Sequence, residues 1–255
     1  MTNFDIKGFE YIEDKRYLLG VEFPELRIKF DGQDKEYIKE ISNLYLEIMD
    51  KIMEKSSNKE TYKQWLLSTD FFTAPASTKY HSAFEGGLVY HSLLVLECLM
   101  KKLENPIWKE TLSSVSLKKM IFAALTHDFC KINFYCSYFQ NKKIYNETGK
   151  LFDENGKFDW KSVKGYQVNE LFPYGHGEKS VYIADRHFFR LDEELALAIR
   201  GHMGFTIENG EKAFPQIVSK CKLALALSES DQESTLLLEY VEEDTKIQLK
   251  TGFVE

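Results

Sequence analysis

The sequence predicts a mainly α-helical fold, with a small β-hairpin or meander inserted around residues 136–172 and short strands possible near the N-terminus. Two observations carry this expectation. After residue 34, apolar residues recur at helical spacing over most of the chain. By contrast, SYFQNKKIYNETGKLFDENGKFDWKSVKGYQVNELF is polar, aromatic and turn-rich, with ETGK and ENGK as turn signals. The 255 residues, 44% of them apolar, are enough for one large core or two small ones.

In chain order, residues 1–31 hold short alternating pieces, YLLGVEF and LRIKF, that suit strands of a small N-terminal unit, with a boundary near residue 32. From Asp34 to about Lys55, Tyr37, Ile38, Ile41, Leu44, Leu46, Ile48, Ile52 and Met53 follow helical spacing. A second helix covers Lys59 to Leu67, and FFTAPASTKYHSAFEGG is a loop rich in Gly, Pro and Ser. Helices are then expected from Gly87 to Leu103 and from Ser116 to about Asp128. Beyond the insert come 178–189, then 192–203 with Asp192 as N-cap and Gly204 past its end, then 211–242. The expected main unit is 32–255, with its core at about 70–240.

A net charge of −7 argues against bulk nucleic-acid binding, so any polyanion must be gripped locally. The four cysteines form no CxxC pair and read as free thiols of a reducing, cytoplasmic setting. MTNFDIKGFEYIEDK has no apolar h-region, and LLVLECLM is short and interrupted by Glu97, so no membrane association is expected.

The candidate site residues stand out by where they fall on apolar faces. AALTHDFCKINFY sets His127 and Asp128 inside an apolar run, although Asp is almost never fully buried unless paired or bound to metal. Asp128 is three turns beyond Leu117 and continues the stripe of Leu117, Met120, Ile121, Ala124 and Leu125. His91 shares a face with Leu88, Val95 and Cys98, and His202 with Leu195, Ala198 and Ile199. Asp231 continues Ile217, Cys221, Ala224 and Ser228, while His176 lies between two glycines in YGHGEK. A lone histidine on such a face is usually a hydrogen-bonded core residue. Several imidazoles and carboxylates converging inside a helix bundle suit a metal centre instead.

GGLVYHS, THDFCK, GHGEKS, RGHMG and the Asp of SESDQES together resemble the HD-domain superfamily of metal-dependent phosphohydrolases, in its binuclear H…HD…H…H…D variety. The ligand spacings are 36, 49, 26 and 29 residues, and the resemblance covers about residues 70–240. FFTAPASTKYHSAFEGGLVYHS is closest in look to the HD domain of bacterial 3′–5′ exoribonucleases, whose usual N-terminal OB fold is not identifiable in residues 1–68. The family often has Gly where Cys130 stands; the thiol can be a small core residue or lie near the site.

The resemblance implies an HD-type helical bundle binding two divalent transition-metal ions, Mn or Fe first, with Ni, Co or Mg as alternatives. His91, His127, Asp128 and Asp231 would hold one ion. Asp128 would bridge to a second, held by His176 and His202, and a metal-bridging hydroxide would be the nucleophile. Lys131 would contact the phosphate or protonate the leaving group; its plainer reading is a cation favoured at a helix C-terminus. His81, Lys179 and Arg200 are candidate substrate contacts, with exposed-loop or salt-bridge roles as the plainer readings. The expected substrate is a small phosphorylated molecule or a short single-stranded nucleic acid. The aromatic insert can stack a base or form a small core of its own. An HD-type diiron oxygenase and a non-catalytic HD sensor module are the alternatives. The sequence leaves the oligomeric state open.

Overall fold

The computed structural model describes residues 7–239. Its fold is mainly α, with two small three-stranded sheets. The N-terminal sheet is an antiparallel meander of β1 (Phe9–Ile12), β2 (Lys15–Leu18) and β3 (Val21–Glu22). Alternation places Phe9, Leu18 and Val21 inward, where they join the same buried cluster as the helices. Arg16 fixes the sheet to the rest, its guanidinium gripping both oxygens of Glu97 at 2.7 and 2.8 Å.

Helix α1 (Lys35–Ile52) starts at Asp34, whose carboxylate accepts from the Tyr37 N–H. Helix α2 (Lys59–Leu67) matches its expected bounds. Helix α3 (Gly87–Lys102) is the central element, and every residue from Gly87 to Met100 is buried. It packs against α1, against α5 (Leu117–Thr126), and against α9 (Lys222–Glu233). A single apolar stripe therefore understates its role, since it is covered on all sides. A short helix α4 (Pro106–Thr111), which the sequence reading left out, is capped by Asn105 with Pro106 in its first turn.

Two expected helices need correction. The 116–128 helix ends at Thr126; His127 is its C-cap, and Asp128 has left the helix at φ −104°, ψ 21°. Both side chains still point inward, but Asp128 does so through the turn into a short 3-10 segment, 129–131, rather than by continued periodicity. The 211–242 helix is broken into α8 (Gly210–Lys220) and α9 at Cys221, which is extended at φ −135°, ψ 100°. The bend lets α8 lie on α7 (Glu193–Gly201) while α9 crosses to both α7 and α3. One straight helix could not cover both. A π-helical turn at 234–238 follows, and residues 240–242 of the expected helix lie outside the described residues.

The insert is a long hairpin of β4 (Tyr135–Tyr145) and β6 (Gly156–Val168), with β5 (Leu151–Asp153) on the other edge of β6. Gly156, in the ENGK turn, has φ +117°. Helix α6 (His176–His187) follows and packs on α7. Asp192 caps α7 as expected, accepting from Leu195 N–H at 3.0 Å.

Arg16→Ala should lower stability by about 2–3 kcal/mol, because it strips the main partner from a Glu97 side chain that is only 4% exposed. Lys101, 3.1 Å from Glu97, keeps the loss at the lower end. Urea unfolding should show a lower midpoint at unchanged slope. Arg16→Met combined with Glu97→Leu should recover most of the loss.

Candidate metal centre

Five helices deliver one cluster of side chains. His91 comes from the middle of α3, His127 and Asp128 from the end of α5, His176 from the first residue of α6, and His202 from the C-cap of α7. Asp231, on α9, completes it. Each approach has a local cause. Gly86 adopts φ +88° to turn the loop into α3, and a Cβ on Gly87 would fall 1.9 Å from the Ser82 carbonyl oxygen. A Cβ on Gly177 would fall 2.4 Å from the Arg200 carbonyl oxygen, so the GHG motif is what lets α6 close on α7. Ser180 accepts from the Cys130 N–H at 3.0 Å and so ties α6 to the turn after Asp128. Tyr45 donates to the Leu125 carbonyl at 2.8 Å, satisfying an end of α5 that water cannot reach.

Asp128 is at the centre and divides its two oxygens. Oδ2 faces His91 Nε2 at 3.3 Å and His127 Nε2 at 3.6 Å. Oδ1 faces His176 Nε2 at 3.5 Å and His202 Nε2 at 3.6 Å. On the first side, His91 Nε2 also stands 3.1 Å from His127 Nε2 and 3.3 Å from Asp231 Oδ1. All six expected ligands are therefore together.

The protonation pattern tests whether a metal fits. His127 Nδ1 lies 2.7 Å from the Ala124 carbonyl, and His202 Nδ1 lies 2.6 Å from the Ile199 carbonyl. A carbonyl only accepts, so in both rings Nδ1 carries the proton and Nε2 of the neutral ring is a lone pair. His91 Nδ1 donates to Glu239 Oε1 at 2.6 Å, which fixes the ring with Nε2 facing the cluster; that nitrogen must give up its proton before it can bind an ion. His202 Nε2 is buried without a hydrogen-bond partner. Such an orphan is costly unless something binds it. Donor atoms held at about 2.1 Å from one ion stand about 3.0–3.4 Å apart. The His91, His127, Asp128 and Asp231 atoms fall at or just outside that spacing. The residues around His91 and around Asp128 could thus hold metal ions, and nitrogen and carboxylate donors suit a transition ion over Ca or Mg.

Without an ion, other charges do the balancing. Burial works against the Asp128 anion, but Lys131, 2.6 Å away, and the surrounding imidazoles hold its pKa well below the usual carboxylate range. Burial pushes His127 down to about 4. His91 is also buried, yet Glu239, Asp128 and Asp231 hold its pKa well above the usual value. Glu239, despite burial, is held down at about 2 by His91. Burial pushes the Cys130 thiol well up, so it stands as a neutral core group 3.8 Å from Asp128.

Glu239 also touches the cluster, although no sequence pattern marks it. Its Oε2 accepts from Ser82 Oγ at 2.5 Å and its Oε1 from Ser234 Oγ at 2.7 Å. It follows Asp231 by eight residues across the π-helical turn, so no helical period pointed to it. His81 lies next to His91, their ring centroids 5.1 Å apart, with its Nε2 buried and unpartnered. Lys179 and Arg200 are nearby but engaged: Lys179 with Glu170 at 2.9 Å, and Arg200 with Glu178 at 2.7 Å. Within the centre only His176 and Asp231 are open to solvent, with side chains 34% and 19% exposed.

No family model, curated protein or solved structure matches this chain. Among the described residues, no helix is long and apolar enough to cross a membrane.

Adding Mn(II) or Fe(II) at about 100 times its Kd should stabilise the protein by about 2.7 kcal/mol, read as a rise in melting temperature. Identical melting curves with and without Mn, Fe, Co or Zn would sink the metal reading. Glu239→Gln should keep the fold and lower metal affinity about 10–100-fold in a calorimetric titration.

Proposed function

We propose that the protein is an HD-type metal-dependent phosphohydrolase acting on a nucleotide or nucleic-acid phosphoester. The observation that carries this reading is the convergence of His91, His127, Asp128, His176, His202 and Asp231, with the Lys131 ammonium on the bridging carboxylate. Bound there, two divalent ions supply Lewis acidity and lower the pKa of bound water.

The chain's own groups set the rest. Four neutral imidazoles and two carboxylates leave two divalent ions with about two net positive charges, which attracts a phosphate. Asp128 orients both halves of the site at once. Lys131 sits 8% exposed, beside Tyr135 at the base of the hairpin. With the Asp128 charge compensated by bound metal, this ammonium would be free to hold a phosphoryl oxygen or give a proton to the leaving oxygen. His176 and Asp231 mark the open side, through which a phosphate approaches. The apolar α3 and α5 keep water from the opposite side, which strengthens the electrostatic terms.

Metal-loaded protein should release phosphate from, or shorten, at least one member of a panel of nucleotides, cyclic nucleotides and short oligonucleotides. Asp128→Ala should abolish this activity. Lys131→Met should retain metal while lowering kcat roughly 10²–10³-fold. A panel with no turnover under Mn or Fe would overturn the proposal.

A further inference from the structure

Cys130 lies in the short 3-10 segment that carries the chain away from Asp128. The residue is 1% exposed, yet among the described residues it is not a member of the main apolar cluster that Phe129 and Ile132 join. Its sulfur faces Asp128 Oδ1 at 3.8 Å instead. The same oxygen faces His176 Nε2 at 3.5 Å and His202 Nε2 at 3.6 Å. Donor atoms from α6, from the end of α7 and from the 3-10 segment therefore surround one carboxylate oxygen. Those of Asp128, Cys130 and His176 all lie within 4.8 Å of one another.

The spacing suits ligands of one ion. Sulfur at about 2.3 Å and oxygen at about 2.1 Å from a tetrahedral ion stand about 3.6 Å apart. The observed separation is just outside that value. His202 supplies an independent sign of an ion at this spot. Its side chain is wholly buried, its Nε2 has no hydrogen-bond partner, and that nitrogen is aimed at the same Oδ1.

The cysteine is also held in place relative to His176. Its N–H donates to Ser180 Oγ at 3.0 Å, and Ser180 Oγ donates to the His176 carbonyl at 3.3 Å. One hydroxyl, itself fully buried, thus fixes both the Cys130 backbone and the first turn of α6. The Oδ2 side of Asp128 is built differently. There His91, His127 and Asp231 offer nitrogen and oxygen only.

We infer that Cys130 is a ligand, with His176 and His202, of the ion that faces Asp128 Oδ1, and that its sulfur makes this position selective for Zn(II), Co(II) or Fe(II) over Mn(II) and Mg(II). The inference rests on the metal reading of the site. Thiolate is a soft donor that favours ions such as Zn, whereas carboxylate and water suit Mn and Mg. Without an ion the sulfur keeps its proton, because burial and the Asp128 anion both disfavour the thiolate. On binding, the S–H bond breaks, the sulfur electron pair forms the bond to the metal, and the proton leaves to water. No oxidant or reductant takes part. The two sides of Asp128 then differ in metal preference, the Oδ2 side keeping its nitrogen and oxygen donors.

The test titrates the whole chain, reduced and free of oxygen, with Co(II) and follows its absorption. The wild type should develop a sulfur-to-cobalt charge-transfer band in the near ultraviolet. Cys130→Ala and Cys130→Ser should lose that band, while Cys98→Ala, Cys136→Ser and Cys221→Ala keep it. Circular dichroism confirms that each variant is folded. In calorimetric titrations, Cys130→Ala should weaken Zn(II) binding by roughly tenfold or more and leave Mn(II) binding within about threefold. X-ray absorption of the zinc-loaded wild type should show a sulfur neighbour at about 2.3 Å, a readout that needs no variant to fold. The inference is overturned if bound cobalt or zinc shows no sulfur neighbour, if the band survives in Cys130→Ala, or if that variant leaves the ratio of Zn(II) to Mn(II) affinity unchanged. Cobalt bound without a charge-transfer band removes only the cysteine ligand. A wild type that binds none of these ions removes the metal reading as well.

Discussion

One buried carboxylate sets the terms for this structure. Asp128 is 4% exposed, and its oxygens meet four imidazoles and an ammonium. An isolated carboxylate could not be held there, since desolvation would neutralise it or expel it. Everything nearby compensates that charge. Lys131 does so directly in the metal-free chain, and three of the four rings present nitrogens whose tautomers are fixed by acceptors behind them. The bundle is built inward from this point.

The compensation extends beyond the atoms that would touch an ion. Glu239 holds His91, and Ser82 and Ser234 hold Glu239. Ser82 belongs to the loop that carries His81 and ends in the Gly86–Gly87 turn into α3, while Ser234 opens the π-helical turn after Asp231. The loop, the central helix and the π-helical turn after α9 are therefore linked through one carboxylate. This is an arrangement in which metal affinity depends on residues on no metal-facing stripe. It also explains why the break at Cys221 matters: only a bent segment brings both Asp231 and Glu239 back to α3.

The β insert is a different kind of element. Most of its large side chains are exposed, including Phe139, Phe152 and Trp160, so it adds little to the common core. A small aromatic cluster does form around Phe158, which is buried beside Tyr145 and Trp160. Much of the rest of its aromatic content lies on surfaces.

Helical periodicity read from the residues anticipated most of the fold: α2 to the residue, the Asp192 cap, and the inward histidines of α3 and α7. These are local properties, set by which side chains share a face and which cap a turn. The six candidate ligands were legible because a polar residue on an apolar stripe is conspicuous. The rest depended on contacts between segments far apart in the chain. Asp128 faces inward because the chain leaves α5 at that residue, and Cys221 breaks a helix because α7 and α3 must both be covered. Glu239 finds His91 across a separation of 148 residues. Lys179 and Arg200 read as candidate substrate contacts, with a salt bridge as the plainer role of Arg200, and folding set Glu170 and Glu178 against them. Sequence determined which residues point to the interior; only the tertiary structure decided which of them meet, because that is fixed by how helices pack and bend rather than by the period of any one of them.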